Sequence, residues 1–284
     1  MATTETQFNN KNSMKSNTWL NLTIISTIAC LAWGCGGLGG NQRHRTANLS
    51  AYLYPAQTGA AEPSALTRLS LPLRVGIAFV PGDAATSSSG NAVFNANAAE
   101  SSLTEKQKLD LMKSIRNQLS QYPSIASADL IPNDFMTPHG GFADLDRIRT
   151  LRGVDVILLL SYDQSQFTDE GALTLSYWTV IGMYVVPAEK NETKTVLEAA
   201  VYDIPSRKLL FRASGSGEFK GSATPVNLSE QLRVDSVKCL DQAATNLVAS
   251  LSNQIDQFGQ KIAGAQSEIK IERQADYRGG PFGE

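Results

Sequence analysis

The run Val154-Asp155-Val156-Ile157-Leu158-Leu159-Leu160-Ser161-Tyr162 constrains the fold more than any other part of the chain. Successive strand residues point to opposite faces, so a run that is apolar at both parities must be buried on both sides. That predicts a central strand in a sheet covered by helices above and below. The flanking patterns agree. Leu73 to Val80 reads as a first strand between Pro72 and Pro81-Gly82, followed by a Ser-, Asn-, Ala- and Gly-rich loop to Ala99. Ser102-Leu103-Thr104-Glu105 has capping-box spacing and opens a helix to about Ser120, with Leu109, Leu111, Met112, Ile115 and Leu119 on its inner side. Ala128 to Pro132 reads as a short strand and Phe142 to Arg152 as a short helix with Leu145, Ile148 and Leu151 inward, stopped by Gly153.

Beyond the central strand the rhythm changes. Leu173 to Val186, Thr195 to Ile204 and Lys208 to Glu218 are three strand-like runs, separated by turn residues at 187–192 and 204–207. From Asn227 a long amphipathic pattern carries Leu228, Leu232, Val237, Leu240 and Leu247 onward to Ile262, suited to packing across a sheet face. The expected fold class is α/β: one domain from 71 to 262, its mixed sheet built from β-α-β-α-β and an antiparallel meander, with a long C-terminal helix packed on the sheet.

The front of the chain is an address. Residues 1–34 have a weakly basic start, with Lys11 and Lys15, then an uncharged apolar run from Trp19 to Gly34. This describes an export signal. Gly34-Cys35 is a small residue followed by a thiol, the junction at which bacteria attach diacylglycerol to sulfur and cleave just before it. Signal cleavage is expected after Gly34 and lipidation on Cys35, with Cys30 as the alternative. Each buried acyl methylene contributes about 0.8 kcal/mol, so two or three chains hold a protein firmly on a bilayer. Gly36 after the cysteine favours the outer membrane, facing the periplasm or the cell surface. Residues 35–70 read as the lipidated cysteine and a flexible Gly-rich tether. Cleavage removes Lys11, Lys15 and Glu5 from the 25 cations and 27 anions of the 284-residue chain, leaving 23 and 26. A net charge of −3 excludes nucleic-acid binding through a broad basic face.

Three cysteines and two histidines are too few for a zinc ribbon or a disulfide framework, and no cofactor or metal is expected. His139 lies in the turn-rich Thr137-Pro138-His139-Gly140-Gly141, with neither a nucleophile elbow nor a metalloprotease helix anywhere in the chain. Asp163, expected at the carboxyl end of the central strand, stands where open α/β sheets bind ligands. A turn-forming aspartate explains it as well. Gly215-Ser216-Gly217-Glu218 lacks the lysine and the strand-to-helix context of a phosphate loop and reads as strand. Cys239 reads as a small buried helix residue. Tyr177, Trp178 and Tyr184 form an aromatic run, read as a partner-binding hairpin; the alternative is a membrane barrel strand in an oligomer.

Four strings together resemble a known family. Tyr52-Leu53-Tyr54-Pro55, the stretch from Leu71 to Pro81, Leu175 to Gly182, and Ala200 to Phe211 are similar to the rhombotail lipoproteins. The resemblance spans nearly all of the exported chain. It implies a surface or periplasmic lipoprotein without a known activity, and supplies no catalytic residue. It also implies that 263–284 is a Gly-Gly tail, with Gly279 and Gly280 as the site at which a rhomboid-type protease would process it. The tail departs from full sorting tails in having no transmembrane helix and no closing basic cluster. The expectation is a non-enzymatic envelope binding or assembly module held to the membrane by its lipid and joined to an envelope protein. The alternatives are an oligomeric secretion-pore subunit, resembling the curli secretion-channel lipoprotein, and a hydrolase using Asp163 or His139.

Overall fold

A computed structural model describes residues 41–46, 49–54, 67–81, 86–88, 103–170, 189–224, 226–263 and 269–273. They form a mixed α/β fold, with a mixed sheet and a long C-terminal helix on it.

The apolar run at 154–162 lies in strand β6, Val156–Glu170, at the middle of the sheet. Strand β3, Leu73–Phe79, pairs parallel with the first five residues of β6 and, on its far side, with β5, Ile125–Leu130. Strand β1, Asn41–Thr46, takes the place of β3 farther along, pairing antiparallel with 163–168 and with β4, Thr86–Ser88. The other side of β6 is occupied throughout by β7, Glu189–Asp203, and β7 by β8, Lys208–Ala223. Among the described residues the sheet has seven strands, five abreast at each end. Strands β2, Arg68–Leu71, and β9, Lys270–Arg273, pair separately in parallel.

Helices cover the β3 end on both faces. On one lie α2, Glu105–Leu119, and the 36-residue α4, Leu228–Ala263, closing over Ile77, Leu158, Leu160, Leu197 and Ala199. On the other lie α1, Leu49–Leu53, and α3, Gly141–Arg152, over Ile157, Leu159 and Ala200. The alternating inward side chains of β6 therefore feed two separate cores, as the double-faced apolar pattern requires.

Several local readings are corrected. The capping box is formed by Thr104 and Gln107: Gln107 N donates to Thr104 Oγ1 at 3.2 Å and Thr104 N donates to Gln107 Oε1 at 2.9 Å. Two cap patterns overlap in the sequence, and the later one directly precedes the first helical residue, Glu105. Leu109, Leu151 and Val237 are exposed, Leu151 by 63 %; in α3 the buried face runs instead through Phe142, Leu145 and Ile148. Strand β5 starts at Ile125, three residues before the expected Ala128, because its pairing with β3 begins there. Glu189 to Glu192, read as turn, are strand. Within the stretch read as tether, Leu49, Tyr52 and Leu53 are buried, their spacing of three and four putting one apolar face on the sheet. Within the stretch read as tail, Lys270–Arg273 lies beside β2.

No helix among the described residues is long and apolar enough to cross a membrane.

Candidate interaction surface

The residues of the lipid anchor, Cys30, Gly34 and Cys35, the aromatic run with Tyr177, Trp178 and Tyr184, and Gly279 and Gly280 all lie outside the described residues. Of the chemical candidates, His139 is exposed, with φ of 61° in the loop before α3. Asp163 is not at the carboxyl end of its strand. β6 continues seven residues past it, and Asp163 is paired in register with Thr46 on one side and Val196 on the other. Polar residues continue the strand because a two-layer sheet needs burial on one face only. Cys239 is fully buried on α4 and its thiol donates to Thr193 O at 3.3 Å. Burial, and then the carboxylates of Asp235 and Glu218, push that thiol up to about 11, so at neutral pH it is protonated and a poor nucleophile. No metal-holding group of three His, Cys, Asp or Glu occurs among the described residues.

The distinctive geometry is at the far end of β6, β7 and β8. Here one face is covered by α4 and the other by no described helix. Beneath α4 the layer is polar. Gln164 donates to Thr195 Oγ1 at 3.0 Å and accepts from the Tyr162 hydroxyl at 2.7 Å. Gln166 donates to Ser236 Oγ at 2.7 Å and Asn191 to Asp235 Oδ2 at 2.7 Å; Gln231 donates to Asp235 Oδ1 at 2.9 Å. Asn191 Oδ1 and Thr193 Oγ1 are buried there without a partner among the described residues.

The glycines of Gly215-Ser216-Gly217 have a packing role. A Cβ on Gly215 would stand 2.2 Å from Ala243 O and Leu247 N, and one on Gly217 2.2 Å from Cys239 O. Only bare backbone lets α4 lie this close to β8. Alternation of glycine on one strand face was the available signal. At this level α4 also reaches the outer edge of β8: Asn246 Nδ2 donates to Ser216 O at 2.8 Å and Ser214 N to Ser250 Oγ at 3.4 Å.

The uncovered face carries a checkerboard of charge. In register, Glu192 of β7 stands opposite Lys220 of β8, and Lys194 opposite Glu218. Lys194 is 3.2 Å from Glu218 and 3.6 Å from Glu192; Lys220 is 3.0 Å from Glu218 and 3.9 Å from Glu192. Lys220, followed by Lys194, holds the Glu218 carboxyl below its usual range, and Glu218 with Glu192 raises the Lys220 ammonium. The sequence signal is Glu-x-Lys on each of two adjacent antiparallel strands. Arg212 and Glu198 continue the pattern at 3.1 Å.

A second polar cluster, near His139, is structural. Asp144 on α3 accepts from Thr137 N at 2.7 Å, Thr137 Oγ1 at 2.9 Å and the Tyr52 hydroxyl at 3.1 Å, and pairs with Arg147 at 3.2 Å. Burial, then the charge and hydrogen bond of Asp144, raise the Tyr52 phenol far above its ordinary value. Tyr54 stacks edge-on to Phe142, and Phe142 to Tyr202. The Tyr52-Leu53-Tyr54 string thus fastens α1 onto α3.

No family model and no curated protein matches the chain. Among solved structures, the PelC L103M dodecamer from Paraburkholderia phytofirmans is similar over 67 % of this chain and 95 % of that one, at 12 % identity and a TM-score of 0.25.

Proposed function

We propose that this chain is an outer-membrane lipoprotein, acylated at Cys35 after cleavage behind Gly34, whose folded body is a non-enzymatic binding and assembly module of the envelope. The observation that carries the module reading is the far end of the sheet: an edge strand of 16 residues with a one-sided polar underlayer and an ordered charged face. Long strand edges recruit other strands through their unpaired backbone groups. Asp163 lies in mid-strand, paired between Thr46 and Val196, so the strand-end placement that suggested a hydrolase using it is not met. Envelope attachment rests on the Gly34-Cys35 junction, and processing at Gly279-Gly280 by a rhomboid-type protease rests on the resemblance of the tail. Intact mass of the native membrane form tests both: the expected species begins at a triacylated Cys35. A species retaining residue 1, or Cys35→Ser protein that stays in the membrane at full length, refutes the anchor.

A second reading, an oligomeric pore subunit, is favoured by one observation. β6 and β7 are 15 residues each and pair antiparallel as far as Glu170 and Glu189, strands as long as a membrane barrel needs. Detergent-extracted protein would then form a ring of many copies.

A further inference from the structure

We infer that the outer edge of β8 from Gly217 to Gly221 is a self-complementary docking strand, and that its partner is the same strand of a second copy, antiparallel across a two-fold axis at Phe219. This names the partner of the assembly reading above and rests on it.

Three observations lead there. The first is which backbone groups are free. Ser214 N and Ser216 O point away from β7, since both bond to α4. In an antiparallel strand the N–H and C=O of one residue point the same way and alternate along the chain. Glu218, Lys220 and Ser222 therefore also turn their backbone groups outward, where among the described residues β8 pairs with β7 alone.

The second is why this part of the edge stays open. α4 crosses the strands obliquely. Asn246 and Ser250 lie against the β8 edge, Cys239 lies over Gly217, Asp235 meets Asn191 on β7, and Leu232 O accepts from Gln166 on β6. Toward its N-terminus the helix has moved off β8 and onto its neighbours, so the edge that it caps at 214–216 is uncapped at 218–222.

The third is charge register. With the axis at Phe219, Glu218 stands opposite the second copy's Lys220, and Lys220 opposite its Glu218. Each row across the joined sheets then reads Glu192, Lys220, Glu218, Lys194, alternating in sign from β7 of one copy to β7 of the other. Sliding by one residue pair either way places Glu218 against Glu218 or Lys220 against Lys220, which repels. A register centred on Gly215 pairs Arg212 with Glu218, but the edge there is already taken by Asn246 and Ser250. Only the register at Phe219 satisfies both charge and backbone. It also sets the half-buried Phe219 ring, which has Lys238 4.8 Å above it, beside its symmetry mate. Four exchanged backbone bonds make a weak contact, which crowding on a membrane surface would populate.

The test is a charge swap on the purified full chain, followed by sedimentation equilibrium at low and high salt. The parent is expected to be a monomer–dimer system with a Kd that rises with salt. Glu218→Lys puts two lysines opposite two lysines in its homodimer, and Lys220→Glu puts two glutamates opposite two glutamates. Each alone should weaken association by about tenfold or more. Mixed one to one, the two variants pair lysine with glutamate at every position, so a heterodimer of at least parental affinity should form. Both changes are at exposed positions, and circular dichroism of each variant checks that it folds. A monomeric parent overturns the inference, as does a mixture that fails to associate. A larger ring indifferent to both swaps also overturns it, and favours the pore. None of these outcomes depends on Cys35, whose acylation is read separately by mass.

Discussion

Helix α4 rests on two different floors. From Leu240 to Ile262 it covers apolar side chains such as Leu197, Ala199 and Ala213, while from Leu232 to Cys239 it covers Gln166, Asn191, Thr193 and Thr195. The difference separates stability from register. Apolar burial is non-directional, contributes about 25 cal/mol per Å², and tolerates sliding. Hydrogen bonds between buried amides and a carboxylate do not tolerate it, since a displaced helix leaves each polar group unpaired. The apolar floor holds the helix down; the polar floor sets where it points. That direction carries α4 off the β8 edge at its N-terminal end.

The largest effect is expected where α4 lies closest to β8. Gly215→Ala places a methyl 2.2 Å from the α4 backbone, which neither helix nor strand can yield to. A loss above about 4 kcal/mol, or failure to fold, is expected by urea denaturation. A loss under about 1 kcal/mol would show that α4 is not seated as described. On the apolar floor, Leu247→Ala empties a fully buried site and should cost about 2–5 kcal/mol in the same measurement.

The polar floor should behave otherwise. Asp235→Ala leaves the Asn191 and Gln231 amides without their acceptor and is expected to cost about 1–3 kcal/mol. Adding Asn191→Val should recover part of that loss, because an apolar pair needs no hydrogen bond. The same second change on the apolar floor, deleting a neighbour of Leu247, would add to the first loss. Equal additivity on both floors would erase the distinction.

Most of this architecture could be read from the residues, and the reasons for the misses are physical. Val154 to Tyr162 declared a strand buried on both faces, and the leucines of α4 declared its stripe. Leu151 and Val237 misled because a helical pattern fixes a face only to within a residue or so, and the partner decides which flank is covered. Asp163 misled because a strand does not end when its apolar run ends; β6 goes on with one face against α4, where polar residues alternate and no double-faced signal exists. The checkerboard was hidden for another reason. Glu192, Lys194, Glu218 and Lys220 are ordinary surface residues one at a time, and their pairing exists only once β7 and β8 are set in register.

Cys239 reports on the polar floor without a mutation. Its thiol is raised to about 11 from an ordinary 9.0. The fold thus favours the protonated form, a contribution complete below the unfolded value and lost as pH climbs through 11. Alkylation of the native chain, followed at Cys239 by peptide mass, should stay negligible at pH 9 while the urea-unfolded chain reacts readily. Ready native labelling at pH 8 would mean that the N-terminal half of α4 opens on its own.

The smallest expected effect is the most telling about the uncovered face. Lys194→Ala removes the link to both Glu192 and Glu218, yet these groups stand in water, where ion pairs gain little over hydration. The urea midpoint of the monomer should be indistinguishable from that of the parent. A clear destabilisation would make the checkerboard an internal brace, held in place by the stability of the hairpin. With no such effect, its alternation gains the monomer nothing, and a strand set across the β8 edge is what gives the order of these charges a consequence.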